Sequence, residues 1–134
     1  MSRSILVVDD APDWREMLAG FIEDVYPKFK ITTAPSMNEA KKHLTQQDFD
    51  LAIIDIRLDD SDEGNTEGLD LMEFIRKNYT KVQVLIVTGF ANLETVKRAM
   101  RPDENGVRQA TDYIEKDQIH AELLSKLSAI FEKL

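Results

Sequence analysis

The chain has 134 residues, 43% of them hydrophobic and 31% charged, with no cysteine and a formal net charge of -8 at pH 7. That length allows one buried core without cross-links or metals, and the missing thiols exclude disulfides. The acidic balance argues against direct contact with nucleic acid or an anionic membrane, and favours a cation or a basic patch on a protein partner.

No apolar stretch approaches the roughly 20 residues needed to span a bilayer. Met1-Ser2-Arg3-Ser4 runs into an apolar segment without a small-residue cleavage site, so a cytoplasmic location is expected. Ile5-Leu6-Val7-Val8 reads as a short strand that closes on Asp9-Asp10. Pro12 suits the first turn of a helix in which Trp14, Met17, Leu18, Phe21, Ile22 and Val25 recur at helical spacing, and Pro27 should end it near Tyr26. Phe29 to Thr33 is a brief strand. Ser36 and Glu39 form a capping-box pattern opening a second helix, with Met37, Ala40 and Leu44 inward.

The chain is organised around Leu51-Ala52-Ile53-Ile54, a run without polar alternation that stops at Asp55. Such a run reads as a strand buried on both faces in the middle of a parallel sheet. An acidic loop, Asp59 to Glu67, leads to a third helix starting at Gly68 and carrying Leu69, Met72 and Ile75. Val82 to Val87 is a fourth strand ending in Thr88-Gly89, and a helix from about Asn92 to Met100 is stopped by Pro102. Arg101 to Gln109 reads as loop with an Asn105-Gly106 turn. Tyr113-Ile114-Glu115 is a fifth strand ending in Lys116, and the last helix, from about Gln118, should bury Ile119, Leu123, Leu127, Ile130 and Leu134. Five strands alternating with five helices predict one α/β domain over residues 1–134, a doubly wound five-stranded parallel sheet with helices on both faces.

In open α/β sheets ligands bind beyond the carboxyl ends of the strands. Asp9, Asp10, Asp55, Thr88 and Lys116 all fall at that edge. Crowded carboxylates must take up protons or share a cation, and hard oxygen donors suit Mg²⁺. Lys116 cannot join a metal shell, but it can pair with a carboxylate or an incoming anion. Thr88 can donate a hydrogen bond, and Gly89 leaves room for a group larger than water. An acidic nucleophile, a divalent cation, a lysine and a hydroxyl together describe a site for accepting a phosphoryl group. Taken singly, Asp10 could cap a helix for about 1 kcal/mol, Asp55 could be a polar strand end, Lys116 a surface lysine and Tyr113 half-buried packing. Their combination favours the functional reading. Core packing accounts for Trp14, His43 and His120 have no partner ligands, and Asn78-Tyr79-Thr80 is a turn rather than a glycosylation site in a cytosolic chain.

These residues carry a resemblance over essentially the whole chain. With Asp9-Asp10 after the first strand, Asp55 after the third, Thr88 after the fourth and Asp112-Tyr113-Ile114-Glu115-Lys116 at the fifth, it resembles the receiver domain of two-component response regulators. The resemblance implies the flavodoxin-like strand order 2-1-3-4-5, and a phosphoryl group accepted by Asp55 from a sensor histidine kinase or phosphotransfer protein. It implies that Asp10 binds Mg²⁺ directly and Asp9 through water, with Asp55 and the Arg57 carbonyl in the metal site. Thr88 and Lys116 would contact phosphoryl oxygens, and Tyr113 would turn inward when Thr88 moves, a local charge change biasing a bistable packing. Output would pass to a downstream protein target or an appended output domain, with a phosphorylation-linked dimer as one family mode. The chain ends with its last helix at Leu134, as a stand-alone receiver or the receiver part of a longer regulator would.

The chain also departs from the usual receiver pattern. Asp59 stands where receivers usually have proline, and the acidic loop is longer by about five residues. Its Asp59, Ser61, Glu63, Gly64, Glu67 and Asp70 faintly resemble a calcium-loop spacing, but a strand precedes it and Asp70 replaces the bidentate Glu. A solvated loop is the default, and a recognition element for a basic kinase or target surface the alternative. Asp117 follows Lys116 where proline is usual, leaving the aim of Lys116 open and offering a cap for the last helix. Arg101 to Gln109 is an apparent insertion on the surface that commonly carries output contacts. Two readings from other classes stand beside the switch. One is a degenerate receiver that only binds partners. The other is a Mg²⁺-dependent aspartyl phosphatase, disfavoured because Arg57 holds the place of its usual second Asp. Phe90, two residues beyond Thr88, and Arg57, two beyond Asp55, occupy positions that in receivers tune water access. Phe90→Ala is expected to speed loss of the phosphoryl group in a dephosphorylation time course, and an unchanged rate would remove that role.

Overall fold

The computed structural model describes residues 2–59, 62, 64–89, 93–102 and 104–134. Five strands, β1 (Ser4–Val8), β2 (Lys30–Ala34), β3 (Leu51–Ile54), β4 (Gln83–Thr88) and β5 (Asp112–Glu115), alternate with five helices, α1 (Pro12–Val25), α2 (Met37–Gln46), α3 (Glu67–Asn78), α4 (Leu93–Met100) and α5 (Ile119–Glu132). All strand pairs are parallel, in the order β2-β1-β3-β4-β5. The doubly wound sheet expected from the alternation is thus the fold.

Strand alternation divides the core into two layers. Leu6, Val8, Ala52, Ile54, Val84 and Ile86 point to one face, where Ala40, Leu44, Leu69, Met72, Ile75 and Ala99 from α2, α3 and α4 meet them. Ile5, Val7, Leu51, Ile53, Leu85, Val87 and Ile114 point to the other, against Leu18 and Ile22 of α1 and Leu123, Leu127 and Ile130 of α5. β3 is buried throughout, as its unbroken apolar run requires.

The helix starts follow local chemistry with two corrections. Ser36 caps α2, its Oγ accepting the Glu39 N–H at 3.2 Å. The first residue of α1 is Pro12 and its cap is Ala11, without a side-chain bond, so Asp10 is not a helix cap. A 3₁₀ turn, Lys116–Gln118, precedes α5, which makes Gln118 the cap residue and leaves Asp117 a position too early for that role. At the helix ends, α5 stops at Glu132, so Leu134 lies past the apolar stripe and is 42% exposed rather than buried. Val25, the last residue of α1, is likewise 41% exposed.

The expected loop at 101–109 has some order of its own. Pro102 and Arg108 form an isolated antiparallel bridge, and Gly106 takes the positive φ of 79° that the Asn105-Gly106 turn needs. The buried Arg76 of α3 ties this segment to the turn before β4, its guanidinium donating to the carbonyls of Thr80, Val82 and Gln109 at 3.1, 3.2 and 3.1 Å.

Gly68 sets how closely α3 approaches the end of β3. Its N–H donates to the Ile56 carbonyl at 2.9 Å, and a Cβ at this position would fall 1.8 Å from the Asp55 carbonyl oxygen. Gly20, inside α1, has nothing within 4 Å of such an atom. Gly68→Ala is therefore expected to lower the unfolding free energy by about 2 kcal/mol or more, from backbone overpacking, and Gly20→Ala to raise it by about 0.5–1 kcal/mol. Urea unfolding of both variants checks the contrast; equal effects would mean that the close approach of α3 does not limit the packing.

Candidate functional site

The register builds the site. Val8 pairs with Ile54, Ile54 with Ile86 and Ile86 with Tyr113, so one line crosses four strands near their carboxyl ends. One step further lie Asp9 and Asp55, and Thr88 follows two steps beyond Ile86, opposite Glu115. Lys116 comes next. The Asp55 N–H donates to the Val8 carbonyl at 3.0 Å, locking the two acidic strand ends side by side.

Carboxylate oxygens of Asp9, Asp10 and Asp55 all lie within 4.8 Å of one another. Asp9 is 2% and Asp55 4% exposed, so their repulsion is poorly screened by water. Lys116 answers it: its Nζ stands 3.0 Å from Asp9 Oδ2 and 3.2 Å from Asp55 Oδ2. Burial pushes the Asp9 carboxyl up, and Asp10 adds to that, while the bond from the Ala11 N–H and the Lys116 ammonium pull it down without cancelling the rise. For Lys116, burial acts to lower the pKa, but the Asp55 and Asp9 carboxylates outweigh it and hold the ammonium above the usual lysine range. The two shifts share a sign because Asp9 is the more deeply buried and Lys116 draws on two carboxylates.

Three further bonds fix Asp9 itself, one of them from its N–H to the Ala34 carbonyl at 3.2 Å. Its Oδ1 accepts the Ala11 N–H at 2.9 Å, and its backbone carbonyl accepts Arg15 Nη1 at 2.7 Å. No cis peptide bond occurs among the described residues. Lys116 reaches the carboxylates from the 3₁₀ turn that Asp117 continues, without the proline usual in the family. A Cβ at Gly89 would stand 3.7 Å from Lys116 Cδ, so the lysine stem lies beside that glycine.

Thr88, 1% exposed, ends β4, and Tyr113, partly buried, sits on β5. Tyr113 packs against the core layer that contains Val84 and Ile86, the layer toward which the alternation of β4 also directs Thr88. Lys126 of α5 lies behind it, donating to the Tyr113 carbonyl at 3.1 Å, pairing with Asp112 at 3.0 Å and standing 5.8 Å from the centre of the Tyr113 ring. Arg57, two residues beyond Asp55, is buried.

The acidic loop has its own stitching. Asn65 Oδ1 accepts the N–H groups of Leu58 and Glu67 at 3.1 and 3.0 Å, while its Nδ2 donates to Glu67 Oε1 at 2.8 Å. Asp70 pairs with Arg98 at 2.6 Å, and Arg98 also pairs with Glu73 at 2.6 Å and donates to Thr66 Oγ1 at 3.3 Å. Glu67 and Asp70, two of the calcium-like positions, thus face other partners. Ser61 and Glu63 of that spacing, like Phe90, lie outside the described residues.

Trp14 does more than the core packing expected of it. Its ring packs against the α1/α5 layer, and the Lys116 Nζ also stands over it, 4.7 Å from the ring centre. The signal was its place in the first turn of the helix that follows Asp9-Asp10. Asn65 and Arg98 gave no comparable signal, because their partners lie across a turn or on another helix.

Comparison with known proteins agrees with this geometry. A family model described as the response regulator receiver domain matches residues 5–128. The response regulator protein PilR of Pseudomonas aeruginosa is 35% identical over 104 residues, which cover 75% of this chain. The chain spans about a fifth of the length of several curated relatives, 21% of PilR and 23% of NtrX from Azorhizobium caulinodans. The crystal structure of the receiver domain of NtrX from Brucella abortus superposes with a TM-score of 0.79 at 29% identity, covering 97% of this chain and 99% of that one. Response regulator protein TrrA from Thermotoga maritima, solved in complex with Mg(2+)-BeF, gives 0.76 at 26% identity, covering 96% and 98%.

The ion pairs lead to a stability prediction. Lys116→Met should lower the unfolding free energy by about 1–3 kcal/mol, since it strands two buried carboxylates. Asp55→Asn added to Lys116→Met should cost less than the two changes separately, with a coupling of about 1 kcal/mol or more. A double-mutant cycle in urea, without divalent cations, measures it; strict additivity would mean that Lys116 does not neutralise Asp55.

Proposed function

Because the chain belongs to the response regulator receiver domain family, we propose that it is a phosphorylation-activated signalling switch in which Asp55 accepts a phosphoryl group in a Mg²⁺-dependent reaction. The observation that carries this reading is the cluster of Asp9, Asp10 and Asp55 oxygens within 4.8 Å, with Lys116 bonded to two of the three residues.

The donor set fits the metal: three carboxylates at a strand edge are hard oxygen ligands, and Mg²⁺ is usually bound by one or two carboxylates together with phosphate oxygens. Asp10 would hold it directly, Asp9 through water, and Asp55 and the Arg57 carbonyl would complete the protein's share. When bound, the ion supplies charge neutralisation at the phosphoryl oxygens. The similar TrrA was crystallised with Mg(2+)-BeF, which supports the same chemistry here.

The chain's own residues do the rest. An Asp55 carboxylate oxygen attacks phosphorus in line; its P–O bond forms as the donor's P–N bond breaks, and the electron pair leaves with the donor imidazole, which takes up a proton from water. Lys116 turns its ammonium from Asp55 to a phosphoryl oxygen. Thr88 donates its hydroxyl to another. Tyr113 then follows Thr88 inward, which changes the surface formed by α4, β5 and α5.

The donor is a sensor histidine kinase or a phosphotransfer protein, and the reader a downstream protein or an output domain. We read residues 1–134 as one cytoplasmic receiver unit that performs only its own phosphotransfer and dephosphorylation. No helix among the described residues is long and apolar enough to cross a membrane.

Thermal melting tests the proposal. A ligand at 100 times its Kd stabilises the folded state by about 2.7 kcal/mol. Mg²⁺ should raise Tm, beryllofluoride should raise it further, and Asp55→Asn should lose the beryllofluoride response. If neither ligand shifts the melt of wild type, the phosphoacceptor reading fails and a partner-binding degenerate receiver replaces it.

A further inference from the structure

Trp14, the protein's single tryptophan, is the one neighbour of the Lys116 ammonium described above that offers it no negative charge. The other two are Asp9 Oδ2 at 3.0 Å and Asp55 Oδ2 at 3.2 Å. Those carboxylates are also where a divalent cation would bind, and a cation there competes with Lys116 for the same oxygens. An ammonium that loses both partners can swing on its flexible four-carbon stem into water, where it is strongly hydrated. Lys116 starts from a side chain only 14% exposed, with its stem beside Gly89 and its head over the indole.

An aromatic face attracts a cation through its quadrupole, yet presents no ligand atom to a metal. We propose that Trp14 is a positioning residue for Lys116. Its indole face keeps the ammonium at the pocket mouth when Asp9 and Asp55 turn to a divalent cation, so that Lys116 meets the phosphoryl oxygens without returning from solvent. Trp14 acts through Lys116 and touches no reacting atom. The inference rests on the phosphoacceptor reading above. It concerns a side chain in the first turn of α1, outside the set of acids, hydroxyl and lysine that the family resemblance supplies.

The competing account is that Trp14 only fills space beside Met17 and Leu18 in the α1/α5 layer. Trp14→Leu keeps an apolar side chain and removes the π face; Trp14→Phe keeps a π face on a smaller ring. With acetyl phosphate as donor and Mg²⁺ present, Trp14→Leu should accept phosphate roughly 3- to 10-fold more slowly, the range expected from losing one cation–π contact. Trp14→Phe should stay within about twofold of wild type, and the Mg²⁺ dissociation constant, read from thermal shifts, should be the same in all three.

A second readout does not depend on phosphorylation. Trp14 emission should change when beryllofluoride is added to the Mg²⁺-loaded protein, and Lys116→Met should abolish that change. Trp14→Leu as fast as wild type, Trp14→Phe as slow as Trp14→Leu, or an emission change that persists in Lys116→Met would each overturn the inference while leaving Asp55 phosphorylation intact. Wild type that takes up no phosphate would instead overturn the phosphoacceptor reading, and this inference with it.

Discussion

The ion pairs from Lys116 to Asp9 and Asp55 are the interaction on which the rest of the site depends. Two carboxylates almost wholly removed from water, with a third close by, repel in a medium that screens them poorly. A single ammonium at 3.0 and 3.2 Å offsets that repulsion. The fold brings the three residues together from the ends of three different strands. The in-step register of β1, β3, β4 and β5 does this, because a slip by one residue would turn each of these side chains to the opposite face.

The same arrangement makes the pocket responsive. A cation and a phosphoryl group entering there would both act on groups that Lys116 now holds, and the proposed switch follows from redistributing these partners. The two sheet faces separate the tasks. Asp9, Asp55 and Lys116 extend the alternation of the α1/α5 side, where Trp14 also lies. Thr88 and Tyr113 belong to strands whose alternate positions pack the α2–α4 side, and Lys126 and Arg98 brace the elements around them. Under the proposed switch, a charge change on one face would reach the other through the carboxyl end of β4.

The family departures are local and compensated. The lengthened acidic loop is closed by Asn65, and α3 beyond it is tied to α4 by the Asp70–Arg98–Glu73 contacts. Gly68 brings α3 against the Asp55 backbone. The insertion after α4 is anchored at its end by Arg76 on the Gln109 carbonyl. The strand ends stay in register.

The amino-acid sequence by itself determined the alternation of elements, the two-sided burial of β3 and the placement of acids, hydroxyl and lysine at the carboxyl ends of strands. These are set by short-range periodicity and by abrupt ends to apolar runs, which a linear reading detects. It also determined Ser36 as a cap and Gly106 as a turn, both local backbone requirements. Only the tertiary structure decided that Ala11 and Gln118 are the cap residues rather than Asp10 and Asp117, because a 3₁₀ turn and the pull of Asp9 on the Ala11 N–H shift the chain by a residue. It alone decided that Trp14 underlies Lys116 and that Arg98 binds Asp70 and Glu73. Those contacts join residues 102, 28 and 25 positions apart in the chain, separations over which side-chain type carries no record of neighbours until the helices have packed.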